Sequence, residues 1–154
     1  MAIRVMSFGQ AIEASHNSSK RHILLGNGFS IAYDPDSFSY GRLFDVADFS
    51  GLSMDLRPIF HEFGTTDFER VIEALRGAAK INRHYDPENT ALAERISADS
   101  ELLKDVLANV LARRHPDYVG SVKPNEFTSA RRFLSSFDRI YTVNYDLLLY
   151  WTSM

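Results

Sequence analysis

The stretch HILLGNGFS, residues 22–30, predicts a short buried strand that ends in a glycine turn. The run is apolar up to Leu25, and Gly26 is a typical strand-ending residue. Glycine lets the backbone turn tightly, and it lets a phosphate approach amide hydrogens with no β-carbon in the way. Because a single G-x-G is a weak signal, a phosphate-binding turn and a plain turn both stay open.

A second strand is predicted over residues 138–143, DRIYTV, and it runs into the polar turn Asn144-Tyr145-Asp146. Its end places a hydroxyl (Thr142), an amide (Asn144) and a carboxylate (Asp146) close together. An amide can bind a ribose hydroxyl or orient a water, and a carboxylate can accept from a ribose hydroxyl. The alternative is that Asn144 or Asp146 caps the helix that follows.

Helices are predicted around and between these strands. The Thr66–Glu69 segment has capping-box spacing and opens an amphipathic helix. Residues 27–40 are predicted to be irregular. The other predicted helices cover residues 7–14, 41–49, 58–63, from about 87 to 113, 124–136, and a short apolar one after Asp146.

The order of these elements is typical of an α/β domain with a parallel sheet. We predict one helix-rich, Rossmann-like domain over residues 1–154. Ligands of such sheets bind at the carboxyl ends of the strands. The two polar turns are therefore expected to face one crevice.

The composition excludes several classes of protein. The chain has 154 residues, no cysteine, 45% hydrophobic residues and a formal net charge of −3. Disulfides, cysteine-ligated zinc, iron–sulfur clusters and a thiol nucleophile are excluded, and wholesale disorder is disfavoured. The small negative charge disfavours a dedicated nucleic-acid binder. The five histidines lack metal-ligand spacing, so no metal site is predicted.

No apolar run approaches the roughly 18 residues that a membrane helix needs. The N-terminal stretch has Arg4 but no continuous apolar region, so we predict no signal peptide and a cytoplasmic location. Residues 34–73 are acidic overall, and residues 113–139 are basic overall. This division of charge has two explanations. The two stretches form solvated faces of complementary charge, or the basic stretch helps to hold an anionic ligand or partner.

Together, G-x-G-x-S at residues 26–30 and Thr-x-Asn-Tyr-Asp at residues 142–146 resemble the sirtuin-like NAD-binding domains. The closer resemblance is to their bacterial relatives, many of which cleave NAD in defence against phage. The Asp-Phe-Glu triplet at residues 67–69 is also similar to a feature of that group. Matching positions span residues 23–151, although the specific ones number only about a dozen.

The resemblance implies NAD as substrate or ligand and cleavage of the nicotinamide–ribose bond, through a transition state like an oxocarbenium ion. It places Asn144 beside the nicotinamide ribose, and Asp146 where it shapes the pocket or binds nicotinamide; these two are the predicted catalytic residues. The predicted cofactor-binding residues are Gly26, Asn27, Gly28, Phe29, Ser30 and Thr142. Of these, the resemblance implies that Gly26, Asn27, Gly28 and Ser30 hold the diphosphate, with the Ser30 hydroxyl as a hydrogen-bond donor.

The chain departs from the family pattern at two places. Asn27 stands where alanine is common, a change compatible with left-handed backbone geometry. The family's catalytic histidine follows the Asn-Tyr-Asp motif, whereas the last histidine here is His115. We therefore expect a domain that is incomplete at its C-terminus and lacks the catalytic histidine.

The apolar run Leu147–Trp151 is expected to be buried on several sides, which predicts a homo-oligomer or a larger protein partner. There are two alternative functions: a non-catalytic interaction or regulatory module, and a different nucleotide-binding α/β domain.

Five aromatic residues form either a lid over the nicotinamide or ordinary core: Phe29, Tyr33, Phe38, Tyr40 and Phe44.

Overall fold

The computed structural model describes residues 5–154, so Arg4 of the stretch examined for a signal peptide lies outside the described residues. Its elements in chain order are α1 (Phe8–Ala14), β1 (His22–Leu25), α2 (Gly28–Tyr33), α3 (Pro35–Phe38), α4 (Tyr40–Val46), α5 (Arg57–Glu62), α6 (Phe68–Tyr85), α7 (Ala91–Arg114), a 3-10 turn (Val119–Ser121), α8 (Pro124–Leu134), β2 (Arg139–Thr142) and α9 (Leu148–Ser153). The chain is helix-rich, with a small parallel sheet.

The described residues form two compact units. The first unit joins the residues up to Tyr33 with Pro116–Met154, and it contains the sheet and α1, α2, α8 and α9. The second unit is Asp34–His115 and contains α3 to α7.

The sheet of the first unit has two parallel strands, as the sequence predicts. Residue pairs run from His22 opposite Arg139 to Leu25 opposite Thr142. The amide of Val143 donates to the carbonyl of Leu25 at 3.0 Å, which extends the pairing by one residue. The carboxyl ends of both strands therefore lie at the same edge.

Helix α1 begins at a reciprocal cap and packs through an aromatic contact. The Ser7 hydroxyl accepts from the Gln10 amide at 3.3 Å, and the Gln10 side chain accepts from the Ser7 amide at 2.9 Å. The Phe8 ring lies 5.1 Å from the Phe133 ring of α8. These contacts hold α1 within the first unit.

The second unit is organised around the α6–α7 pair and a cluster of phenylalanine rings. Phe60 and Phe68 are fully buried, and their ring centroids are 5.3 Å apart. Phe44 and Phe49 pack against the same rings. Burial of such large apolar side chains supplies most of the stabilising free energy of a small helical unit.

The cap of α6 differs by one residue from the predicted capping box. Asp67, not Thr66, is the N-cap: its carboxylate accepts from the amides of Glu69 at 2.9 Å and Arg70 at 3.3 Å. The Thr66–Glu69 spacing identified the helix start but not the capping group. An ionised carboxylate also complements the positive end of the helix dipole.

The prediction that residues 27–40 are irregular is wrong, because α2 and α3 lie there. Asp34 accepts from the amides of Asp36 at 3.0 Å and Ser37 at 3.2 Å, and Pro35 occupies the first turn of α3. A capping aspartate followed by proline is a helix-start signal, and it outweighs the loop-like composition.

The apolar run Leu147–Trp151 is covered only in part within a single chain, so its burial against a partner stays a prediction. Leu148 is buried, but Leu147 and Tyr150 are more than half exposed. Arg131 of α8 donates from Nε to the carbonyl of Thr152 at 2.8 Å, which holds α9 against α8 on one side.

Among the described helices, none is both long and apolar enough to cross a membrane.

Candidate functional site

The carboxyl edge of the sheet brings the two polar turns together. Leu25 and Thr142 are the last paired residues of β1 and β2. The glycine turn begins directly after Leu25, and the Asn-Tyr-Asp turn begins one residue after Thr142. The two segments, more than a hundred residues apart in the chain, therefore begin side by side.

Ser30 joins the two turns through its side chain. It is fully buried, and its hydroxyl accepts a hydrogen bond from Asn144 Nδ2 at 2.9 Å. The same hydroxyl donates to the Asp146 carboxylate. Since a serine hydroxyl has one hydrogen, this arrangement leaves it no hydrogen to give to a phosphate.

Asp146 is both a network member and a cap. Oδ2 accepts from Ser30, and Oδ1 accepts from the amide of Leu148 at 2.9 Å, at the start of α9. The two readings of this carboxylate, helix cap and site residue, are therefore compatible. Each oxygen of Asp146 accepts one hydrogen bond, so the carboxylate fixes the position of both Ser30 and the first turn of α9.

Thr142 fixes the backbone of the second turn. Its hydroxyl oxygen accepts from the amide of Asn144 at 3.0 Å. Asn144 is thus held at its backbone by Thr142 and at its side chain by Ser30, and it is half-buried. A carboxamide fixed in this way can present its Oδ1 oxygen to a hydroxyl group or a water at the edge of the sheet.

The glycine turn leads into α2 without strain. The amide of Phe29 donates to the carbonyl of Gly26 at 3.0 Å, and that of Ile31 donates to Asn27 at 2.9 Å. Gly64 is the one residue of the described part with a positive φ. Asn27 therefore does not use the left-handed geometry that the sequence allowed for it.

Neither glycine of the turn is required by packing. A β-carbon added to Gly28 would meet no described atom within 4 Å, and one added to Gly26 would reach only Val143 Cγ2, at 4.0 Å. Neither residue has a positive φ. Open space over Gly28 is what a group approaching the backbone from outside the chain needs.

A cavity of about 570 Å³ lies in the first unit between α2, α8 and α9. Gly28 and Phe29 of the glycine turn line it, whereas Asn144 and Asp146 do not. The remaining lining residues are Leu25, Ala32, Tyr33, Val122, Asn125, Glu126, Phe127, Ser129, Ala130, Phe133, Leu148 and Thr152. The sequence predicts a helix over residues 124–136 but assigns no role in a site to its residues.

The aromatic residues that the sequence offers as a lid are divided between the units. Phe38 is fully buried in the second unit, and Phe44 packs in its ring cluster. Tyr40 also packs against that core, and its hydroxyl donates to Glu69 at 3.1 Å. The core interpretation therefore holds for these three, while Phe29 and Tyr33 line the cavity.

Within residues 5–154, no group of three or more histidine, aspartate or glutamate side chains is placed to hold a metal ion. Comparison with curated proteins gave no match, and neither did comparison with solved structures. A family model does match, over residues 23–154, a range that begins in β1 and includes both turns and α8. The chain therefore belongs to the family described as Domain of unknown function (DUF4917).

Proposed function

We propose that this chain is a sirtuin-like, Rossmann-like domain that binds NAD or an ADP-ribose derivative, related to hydrolases that cleave NAD in phage defence. The observation that carries the proposal is the Asn144–Ser30 hydrogen bond of 2.9 Å. It joins the two motifs on which the resemblance rests, at the edge where parallel sheets bind nucleotides.

The diphosphate would lie against the glycine turn. The space over Gly28 lets an anion come close to the backbone. The described fold would also accept a residue with a β-carbon at this position, so packing does not explain the glycine. Ser30 acts as a positioning residue, because its hydroxyl holds Asn144 and Asp146. Its expected role as a phosphate donor is replaced by this one.

Asn144 would lie beside the nicotinamide ribose. With one Nδ2 hydrogen donated to Ser30, Oδ1 and the second Nδ2 hydrogen are the groups that would position the water or the reacting carbon. In hydrolysis the bond between C1′ and the nicotinamide nitrogen breaks, and the electron pair leaves with neutral nicotinamide. A bond forms between C1′ and the water oxygen, and the water proton passes to a base.

That base is the part of the reaction for which residues 1–154 offer no candidate at the expected position. The resemblance assigns it to a histidine after the Asn-Tyr-Asp turn, and residues 147–154 contain none. Nucleotide binding is the activity that we propose for the two turns.

Calorimetric titration of ADP-ribose and of NAD tests the binding. Gly28→Val places a branched side chain in the open space over the turn, and we expect affinity to fall at least about ten-fold. Gly9→Val is the matched control, because Gly9 lies near the start of α1 in the same unit and its β-carbon also meets no described atom. No binding to the native chain at millimolar nucleotide, or equal binding by Gly28→Val, would contradict the proposal.

An interaction module that pairs with a second copy of this chain is the second candidate function, and one face of the sheet favours it. Leu24 is 66% exposed and Val143 is 61% exposed; Tyr141, paired with Leu24, is also exposed. Parallel sheets are normally covered on both faces. Light scattering of the native chain and of Leu24→Lys tests this role: a native oligomer that Leu24→Lys dissociates supports it, and a native monomer at high concentration contradicts it.

A further inference from the structure

We infer that the cavity between α2, α8 and α9 binds the adenine ring of the nucleotide. This inference rests on the proposed function and adds to it the position and the chemistry of the base. The sequence offers Phe29 and Tyr33 of its lining as a lid over the nicotinamide or as core, and it assigns no ligand to the α8 side of the cavity.

The size and the walls of the cavity suit a planar ring. Its volume of about 570 Å³ lies within the range of roughly 300–1,000 Å³ typical of small-molecule sites. Aromatic side chains from two helices line it: Phe29 and Tyr33 of α2, and Phe127 and Phe133 of α8. Aromatic side chains stack on nucleic-acid bases, and this stacking is a main source of affinity for them.

Polar groups on α8 give the cavity an edge that can read adenine. Asn125 and Ser129 are four residues apart, so they lie on the same side of the helix, and both line the cavity. An asparagine carboxamide accepts from the adenine N6 amino group and donates to N7. Ser129 can add one further hydrogen bond.

The position of the cavity selects the adenosine end of the dinucleotide. Gly28, which is proposed to lie against the diphosphate, also lines the cavity. Asn144 and Asp146, which are proposed to lie beside the nicotinamide ribose, do not. The two rings of NAD lie on opposite sides of its diphosphate, so the ring that enters this cavity is adenine.

The test compares nucleotides that differ in the base. AMP, inosine monophosphate, nicotinamide mononucleotide and ADP-ribose are titrated into the native chain and three variants. Ala130→Phe fills the cavity from α8, and Asn125→Ala removes the carboxamide. Thr128→Ala is the control, because Thr128 is exposed on the same helix and does not line the cavity.

The native chain is expected to bind AMP at least about five-fold more tightly than inosine monophosphate, which carries an oxygen in place of the N6 amino group. Asn125→Ala should abolish this preference. Ala130→Phe should weaken AMP and ADP-ribose at least about ten-fold and change nicotinamide mononucleotide less than about two-fold. Thr128→Ala should bind like the native chain. Circular dichroism checks that each variant folds. Because Asn125 is exposed, Asn125→Ala is expected to fold, and it decides the question if Ala130→Phe does not fold.

Two results would overturn the inference while leaving the proposed function in place. One is native-like binding of ADP-ribose by Ala130→Phe, together with its loss in Gly28→Val. The other is a selective loss of nicotinamide mononucleotide in Ala130→Phe, which would assign the cavity to the opposite ring. If the native chain binds none of the four nucleotides, the proposed function fails, and this inference fails with it.

Discussion

The two units of the chain bury different kinds of groups. The second unit buries phenylalanine rings such as Phe60 and Phe68 in a continuous core. The first unit has fewer buried apolar side chains, and it buries the Ser30 hydroxyl in a polar network beside a cavity. The continuous apolar core thus lies in the second unit, and the candidate site lies in the first.

Each unit also contains a buried polar side chain, Asp99 in the second unit and Ser30 in the first. The two differ in the groups that they hold in place. In the second unit, the buried Asp99 carboxylate accepts from the amide of Ser53 at 2.8 Å and from its hydroxyl, so it holds a loop. In the first unit, Ser30 holds Asn144, which is itself half-buried at a sheet edge. Of these two arrangements, only the Ser30–Asn144 pair ends in a side chain that can meet a ligand.

The largest expected effect is on the core of the second unit. Phe68→Ala removes a fully buried ring from the aromatic cluster and should lower the free energy of unfolding by about 3–5 kcal/mol. Phe63→Ala is the control, because Phe63 is 43% exposed. Denaturant unfolding measures both. A loss below about 1 kcal/mol for Phe68→Ala would remove the distinction between the units.

A smaller effect, but one on both stability and binding, is expected in the first unit. Ser30→Ala leaves Asn144 Nδ2 and one Asp146 oxygen without their partner, which should cost about 1–3 kcal/mol of unfolding free energy. Because Asn144 also loses its fixed position, affinity for ADP-ribose should fall. Ser135→Ala, an exposed serine at the end of α8, is the control. Unchanged affinity in a stable Ser30→Ala would show that the network only supports the fold.

The cap of α6 gives a sharper test within the second unit. Asp67→Ala should cost about 1 kcal/mol, because its carboxylate holds two amides of the first turn. Thr66→Ala should cost less than about 0.5 kcal/mol, since Thr66 is not the N-cap. Thermal unfolding of the two variants measures the difference. An equal or larger loss for Thr66→Ala would restore the capping box that the sequence predicts.

The smallest expected effect is on the acid sensitivity of the second unit. A hydrogen bond from the Ser37 side chain is the main cause that lowers the pKa of Asp34 below its ordinary value. The ionised form is therefore favoured in the folded chain, so its contribution is present above the ordinary pKa and is lost as pH falls below it. Asp34→Asn should flatten the acid limb of the stability curve slightly. An unchanged acid limb would show that this carboxylate titrates alike in both states.

The sequence predicts the sheet well because each strand is a local signal. An apolar run ended by Gly26 or by the Asn-Tyr-Asp turn identifies a strand, and parallel pairing then puts both turns at one edge. What the sequence cannot supply is the direction of side chains. Ser30 was expected to point towards a phosphate, yet it lies buried between Asn144 and Asp146.

The cavity and the helices α2 and α3 could not be obtained in the same way. The cavity needs three helices from distant parts of the chain, and no single segment carries its pattern. The glycine, proline, serine and aspartate content of residues 27–40 predicts an irregular segment, although Asp34 followed by Pro35 is also a capping signal. Local composition was outweighed there by specific hydrogen bonds.

The central claim is that the glycine turn and the Asn-Tyr-Asp turn together form one nucleotide site. Backbone nuclear magnetic resonance of the labelled chain, titrated with ADP-ribose, tests this most directly. We predict that the amide signals of Gly26, Gly28 and Asn144 shift together along one saturable curve. Shifts confined to one turn, or no shift at either turn at millimolar ADP-ribose, would contradict it.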